Sequence, residues 1–305
     1  MARHLEGKVA VVTGAGRGIG RCVAEVLAQQ GAAVVVNDLG CEIDGSGAES
    51  RAADEVVAAI RDAGGRAVAS HDSVADFAAA ERIVQTAVRE FGRLDILVNV
   101  AGILRDRMIF NMTEAEWDAV LAVHLKGTWS CTRHASRVMR EQKSGRIISF
   151  SSTSGLYGNL GQSNYGAAKD AIAGMTRVVA RELGKYGITA NTVAPVAHTR
   201  MTDTVTADAR KRRTARGIAV PTRALFGEPG DVAPLVAFLA TDAAHDVNGQ
   251  TFLVNGGMIA RLSDPTPLRT IQKRERWTPQ EIALLFPRTL GMDLINPAPA
   301  LRREG

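Results

Sequence analysis

The sequence predicts an α/β domain, a doubly wound parallel sheet with helices on both faces, followed by a C-terminal extension. Three observations carry that expectation. Short apolar runs alternate with helical patterns from residue 8 to residue 254, the pattern of βαβ units around a sheet covered on both faces. A glycine-rich turn, Gly14-Ala15-Gly16-Arg17-Gly18-Ile19-Gly20, lies between the first apolar run and the first helical pattern. An acidic residue, Asp38, closes the second run about twenty positions beyond the glycines.

Residues 8–13, Lys-Val-Ala-Val-Val-Thr, read as a first strand buried on both faces. The helix after it runs to Gln30 and leads into a second strand at 33–37. Further strands are expected at 66–70, 95–99, 146–151, 189–194 and 251–254, about seven in all, with helices near 51–63, 75–91, 114–140, 164–185 and 231–241. In such a sheet a ligand sits beyond the carboxyl ends of the strands, where the strand order reverses. A glycine turn there lets the backbone approach a pyrophosphate and aims a helix N-terminus at its charge. Asp38 is placed for ribose hydroxyls, and its carboxylate would repel a 2′-phosphate.

Tyr165 and Lys169 stand four residues apart, so a helix puts both on one face. A lysine cation beside a phenol is expected to lower the phenol's pKa from its usual ~10, readying it to exchange a proton with an alcohol. Ser152 lies thirteen residues before the tyrosine and can hold the same substrate oxygen. Of the three tyrosines only Tyr165 has a lysine four positions on.

Composition narrows the classes. The chain has 305 residues, 46% apolar and 23% charged, with a net charge of +5. These values are ordinary for a soluble protein, and so mild a charge balance does not suggest a nucleic-acid binder, which would show a concentrated basic face. No apolar run approaches the ~20 residues of a membrane span, and the first strand begins too early to leave room for a signal peptide. Cys22, Cys41 and Cys131 lack metal or redox spacing. No metal site and a reducing, cytoplasmic setting are therefore expected.

Taken together, these residues resemble the short-chain dehydrogenase/reductase family. The segment from Thr13 to Gly20 matches that family's TGxxxGxG, and Leu97-Val98-Asn99-Val100-Ala101-Gly102 matches its fourth-strand NNAG with Val100 in place of one asparagine. Ser152, Tyr165 and Lys169 match its catalytic serine, tyrosine and lysine, while Asn191-Thr192-Val193-Ala194-Pro195 and Val254-Asn255-Gly256-Gly257 match later segments. Within the family, residues 36–40, the glycine-bearing insertion 41–47, and residues 102–107, 156–162 and 200–202 are similar to the (3R)-hydroxyacyl-CoA dehydrogenase domains of type 2 peroxisomal multifunctional enzymes, in the 17β-hydroxysteroid dehydrogenase group.

The resemblance implies a Rossmann-type fold over 1–258, NAD as cofactor, and a small-molecule substrate that is a (3R)-hydroxyacyl-CoA, a sterol side-chain hydroxyacyl-CoA or a steroid. It implies a cofactor site formed by Gly14, Arg17, Gly18, Ile19, Gly20, Asp38, Asp72, Ser73, Val74, Asn99, Ala101, Gly102, Tyr165, Lys169 and Pro195. It places His124 where the family's fourth catalytic residue is usually asparagine. It also implies a substrate loop at 198–226 and a homodimer or homotetramer paired through the helices near 114–140 and 164–185.

Several alternatives stay open. Asp72 suits a turn or helix N-cap as well as the adenine, and a basic residue such as Arg17 also occurs in NADP users of the family. The basic run Arg210-Lys211-Arg212-Arg213 with Arg216 suits either coenzyme A phosphates or a solvated helix. A 17β-hydroxysteroid dehydrogenase, a 3-oxoacyl carrier-protein reductase and a non-catalytic cofactor-sensing protein are the rival functions. Asp38 and the extension weigh against the reductase. The extension, 259–305, holds six of the ten prolines. Thr278 and Pro279 there read as N-cap and first position of a helix reaching Phe286. The extension is expected to pack on its own domain or on a neighbouring subunit.

Overall fold

Among the described residues, eight strands form one sheet in the order β3-β2-β1-β4-β5-β6-β7-β8. They are β1 Val9–Thr13, β2 Ala33–Asn37, β3 Arg66–Ser70, β4 Ile96–Asn99, β5 Gly145–Phe150, β6 Ile188–Pro195, β7 Thr251–Asn255 and β8 Met258–Arg261. The computed structural model describes residues 3–49, 51–198, 227–295 and 297. The substrate-loop segment beyond His198, with its basic run, lies outside them. Among the described residues the α-helices are α1 Gly18–Gln29, α2 Arg51–Asp62, α3 Phe77–Phe91, α4 Glu114–Leu121, α5 Gly127–Gln142, α6 Thr153–Tyr157, α7 Ser163–Leu183, α8 Ala233–Ala240 and α9 Pro279–Leu285.

The first seven strands run parallel and the eighth pairs antiparallel with β7. The sequence reading stopped at about seven, because β8 is short and mostly exposed and carries no buried run. Alternation along each strand supplies two cores. Val12, Val34, Val36 and Val98 face α1, α2 and α8, while Val11, Val35 and Leu97 face α3, α5 and α7. The helices bury matching stripes. In α1 these are Gly20, Val23, Ala24, Leu27 and Ala28, the three-and-four spacing of a one-sided helix.

The helix expected near 114–140 is divided. Thr113 and Glu116 cap α4 reciprocally. The chain then passes through a π-helical turn, Ala122–Lys126, before resuming as α5. In that turn the Gly127 amide reaches back to the Ala122 carbonyl. Among the described residues no helix is long and apolar enough to cross a membrane.

The chain divides into two compact units, Met1–Leu262 and Ser263–Gly305. In the second, the Thr278 hydroxyl accepts from the Glu281 amide at 3.3 Å and the Glu281 carboxylate accepts from the Thr278 amide at 2.8 Å. That reciprocal cap starts α9. Lys273 pairs with Glu281 at 2.7 Å and lies 5.0 Å from the Trp277 ring centroid.

At the amino ends of the strands, the buried Asp95 carboxylate accepts from the Val9 amide at 2.9 Å and from two Arg93 nitrogens at 2.8 and 2.7 Å. It fixes where β1 enters the sheet. Asp95→Ala strands the Val9 amide and is expected to cost about 2 kcal/mol. Urea unfolding measures this, and an unchanged midpoint would show that the bond carries no stability.

Candidate active site

The strand order reverses between β1 and β4, and there a cleft of about 1100 Å³ opens at the carboxyl ends. Its floor is a close crossing of two chain segments. Thr13 at the end of β1 turns its hydroxyl to accept from the Val100 and Ala101 amides at 3.1 and 3.3 Å. Gly14 follows at φ 65°, and a Cβ there would lie 2.7 Å from the Ala101 Cα. A Cβ on Gly20 would strike the Gly14 carbonyl. Only glycine satisfies both the positive φ and the contact at Gly14. The reward is an α1 N-terminus whose preceding residue, Arg17, contributes no side-chain cap. Its first amides are left to face the cleft, the arrangement that receives a phosphate.

Asp38 follows β2. One carboxylate oxygen accepts from the Gly16 amide and the other from the Gly40 amide, both at 2.7 Å. The carboxylate therefore braces the glycine turn from the side while bordering the cleft. Asp72, Ser73 and Val74 border the cleft after β3. The Asp72 carboxylate accepts from Arg82 at 2.6 and 2.9 Å. The helix cap considered for it falls instead to Asp76, which accepts from the Ala79 amide at 2.6 Å.

The reacting end lies across the cleft. Ser152 follows β5, and its Oγ accepts from the Ser154 amide at 3.2 Å. Ser151 donates to the Lys169 carbonyl at 2.8 Å and ties β5 to α7. Tyr165 and Lys169 sit one turn apart on α7. The Lys169 Nζ donates to the Phe150 carbonyl at 2.7 Å and lies 5.6 Å from the Tyr165 ring centroid. Within the π-turn, His124 meets the Tyr165 ring edge-on at 5.0 Å between centroids. Its Nε2 lies 2.8 Å from the Ile103 carbonyl oxygen and 3.0 Å from the Ile103 amide. Gly102 is glycine because a Cβ would run into that ring.

Burial governs the proton affinities. It pushes the Tyr165 phenol up to about 12, opposed by a hydrogen bond with Ser152 and reinforced by the negative charge of Asp106. It pulls the Lys169 ammonium down to about 7. His124 falls to about 3, first through burial and then through the Lys169 charge, against its bond to the Ile103 backbone. The imidazole is therefore neutral near pH 7. The Tyr–Lys spacing led us to expect a lowered phenol, and the structure reverses this. The ammonium is itself desolvated and stands off the ring, so loss of water outweighs its charge.

All but one of the anticipated site residues border the cleft: Gly14, Arg17, Gly18, Ile19, Gly20, Asp38, Asp72, Ser73, Val74, Ala101, Gly102, His124, Ser152, Tyr165, Lys169 and Pro195. Asn99 does not. It shares a sheet face with Leu97 two residues earlier, and its amide donates to Thr132 and Ser149 at 3.3 Å inside the protein. The sequence reading missed Asn164, which is fully buried. Its amide donates to the Arg105 and Glu116 carbonyls at 3.0 and 3.2 Å, and its oxygen accepts from the Tyr165 amide at 2.7 Å. It aims the start of α7, and its place directly before Tyr165 was the one available signal.

A family model described as enoyl-(acyl carrier protein) reductase, adh_short_C2, matches residues 14–259. The chain belongs to the short-chain dehydrogenase/reductase family. A hydroxyacyl-CoA dehydrogenase of Mycobacterium tuberculosis is 43% identical over 287 residues, 91% of this chain and 87% of that protein. Peroxisomal multifunctional enzyme type 2 of Mus musculus is 43% identical over 281 residues, 92% of this chain but 36% of the enzyme, so the chain spans about a third of it. A short-chain dehydrogenase from Mycobacterium avium superposes with a TM-score of 0.81 at 43% identity, covering 97% of this chain and 99% of the other.

Short-chain dehydrogenase/reductases are oxidoreductases that use a nicotinamide cofactor, and the cleft fits one. The glycines clear space at a helix end without a side-chain cap, and Asp38 stands beside them at the distance along the chain that suits a ribose. This member of the family also makes a pH prediction. An unfolded lysine keeps its proton to ~10.4, whereas folded Lys169 loses it near 7. Between those values the unfolded chain binds more protons, so Lys169 makes the protein more stable as pH rises. Lys169→Met is expected to lose that gain when urea midpoints at about pH 7 and pH 9 are compared. An equal gain in both proteins would show that Lys169 is not desolvated.

Proposed function

We propose that the chain oxidises the secondary alcohol of a (3R)-hydroxyacyl-CoA, of fatty or sterol side-chain type, with NAD. The observation that carries the reading is the Ser152–Tyr165–Lys169 set at one end of a dinucleotide cleft whose other end presents Asp38. The hydroxyacyl-CoA dehydrogenase likeness over most of the chain supports the substrate class. Asp38 supports NAD over NADP, because a carboxylate there binds ribose hydroxyls and repels a 2′-phosphate.

Bound NAD supplies the hydride acceptor and a positively charged ring. Gly14, Gly18 and the first amides of α1 would hold its pyrophosphate, and Asp38 would hold the ribose. Ser152 donates to the substrate oxygen and stabilises its developing charge. Tyr165, as phenolate, takes the hydroxyl proton. A phenol held near 12 gives up its own proton only when positive charge stands close, which assigns that task first to the cofactor ring, with Lys169 adding to it in the fraction of molecules that keep its proton. The neutral His124 keeps the Ile103 backbone and the tyrosine ring in register.

The deciding experiment follows NADH formation at mildly alkaline pH with (3R)- and (3S)-hydroxyacyl-CoAs, a 17β-hydroxysteroid, an acyl-carrier thioester and a parallel NADP series. Turnover of the (3R)-thioesters with NAD is expected, and Tyr165→Phe is expected to lose at least about 10³-fold while still binding NADH. Turnover of the steroid alone, of the carrier thioester alone, or a preference for NADP would replace this reading with a rival.

We also propose assembly through α4, α5 and α7, which expose Trp117, Trp129 and Val178 at 36, 46 and 54%. Light scattering should give at least twice the 32.4 kDa of one chain, and a monomer would overturn this. Among the described residues Cys22, Cys41 and Cys131 form no disulfide, and the cytoplasm suits such thiols.

A further inference from the structure

We propose that residues 40–49 form a clasp over the dinucleotide cleft, and that its opening sets the rate at which cofactor enters and leaves. The inference rests on the reading that the cleft holds a nicotinamide dinucleotide. Sheet topology places the clasp. β2 and β4 both neighbour β1, one on each side, so their carboxyl ends stand about 10 Å apart with β1 between them. Any link from the segment after β2 to the segment after β4 must pass over the end of β1, where the glycine turn begins.

The loop makes that link. The Ile43 carbonyl accepts from the Leu104 amide at 2.8 Å. The Asp44 carbonyl accepts from Arg105 Nε at 2.8 Å. Gly45, at φ 87°, lies so close to Ile103 that a Cβ would be 3.0 Å from its Cδ1. The cleft is bordered by Cys41, Ile43 and Gly45 on the loop and by Ile103 and Leu104 opposite.

The loop is also built to move as a unit. Its neck is closed by the Glu49 amide donating to the Leu39 carbonyl at 3.1 Å. Gly40 sits there at φ 75°, where a Cβ would run into the Glu49 backbone. Within the loop, the Glu42 amide donates to the Ser46 carbonyl at 2.8 Å and the Ser46 amide to the Asp44 carboxylate at 2.9 Å. A closed neck, a stiff body and a tip joined across the cleft through Ile43, Asp44 and Gly45 describe a hinged Ω-type loop. Both ends are coupled to the site. Asp38 roots the neck through Gly40 with one oxygen and braces the glycine turn with the other. Ile103, beneath the tip, is held by the His124 ring that packs against Tyr165.

The test is stopped-flow fluorescence of NADH binding and release with wild type, Arg105→Ala, and a variant in which two glycines replace residues 42–46. A gate loosened at its tip raises entry and exit together. Arg105→Ala is expected to raise both kon and koff about threefold to tenfold, the effect of one lost hydrogen bond, with Kd nearly unchanged. The shortened loop is expected to raise both further. Hydrogen exchange in the binary complex should show the Leu104 amide losing protection in both variants. A rise in koff alone would make Arg105 a cofactor contact and overturn the clasp, as would unchanged rates in the shortened variant. If wild type gives no saturable NADH signal, the cofactor reading itself fails, which is a separate outcome from unchanged rates.

Discussion

The chain after β1 and the chain after β4 must touch for this site to exist. Gly14 and Ala101 meet backbone to backbone, and the Thr13 hydroxyl holds two amides of the second segment. That contact sets the depth of the cleft and the aim of the α1 N-terminus. It also fixes the start of the segment that carries Gly102 and Ile103 to His124. A methyl group at Gly14 would have nowhere to go, since both the strand end behind it and the crossing segment ahead are pinned by the sheet. The phosphate end and the reacting end are thus positioned by one junction.

A second constraint is dielectric. Tyr165, half-buried, meets the buried Lys169 and His124 at the inner end of the cleft, and burial drives each toward its neutral form. Three groups that are all easier to keep uncharged form an apolar-like reacting end, while the phosphate end stays polar and open. Charge brought into such a pocket is felt strongly because little water screens it. The same property that makes the tyrosine a poor acid by itself makes it responsive to a cation placed beside it.

Much of this was legible in the chain. Gly14 and Gly20 showed themselves because a turn between strand and helix that tight admits one residue type. Tyr165 and Lys169 showed themselves through helical spacing, and Ser152 through its place thirteen residues before the tyrosine and the family motif. What escaped notice depended on direction or on distant partners. Asn99 stood in the right motif, but its side chain turns into the interior toward Thr132 and Ser149, partners more than thirty residues away that the motif does not name. The Asp72 partner, Arg82, sits ten residues on in a helix whose phase the sequence did not fix. β8 is too short and exposed to leave a pattern. The phenol shift depends on water exclusion by residues far apart in sequence, which no local spacing encodes.

The π-turn holding His124 has a further meaning. A helix advances about 100° per residue, so the one extra residue that a π-turn accommodates rotates everything after it by that amount relative to an unbroken helix. α4 and α5 are therefore phased independently. The first half can present its face to α7 and the cleft, while the second turns Cys131, Ala135 and Met139 into the sheet. Removing a single residue from the turn would leave the composition almost untouched, yet it would swing that apolar stripe off the sheet. The length of this segment, counted in residues, is as much a part of the site as any side chain within it.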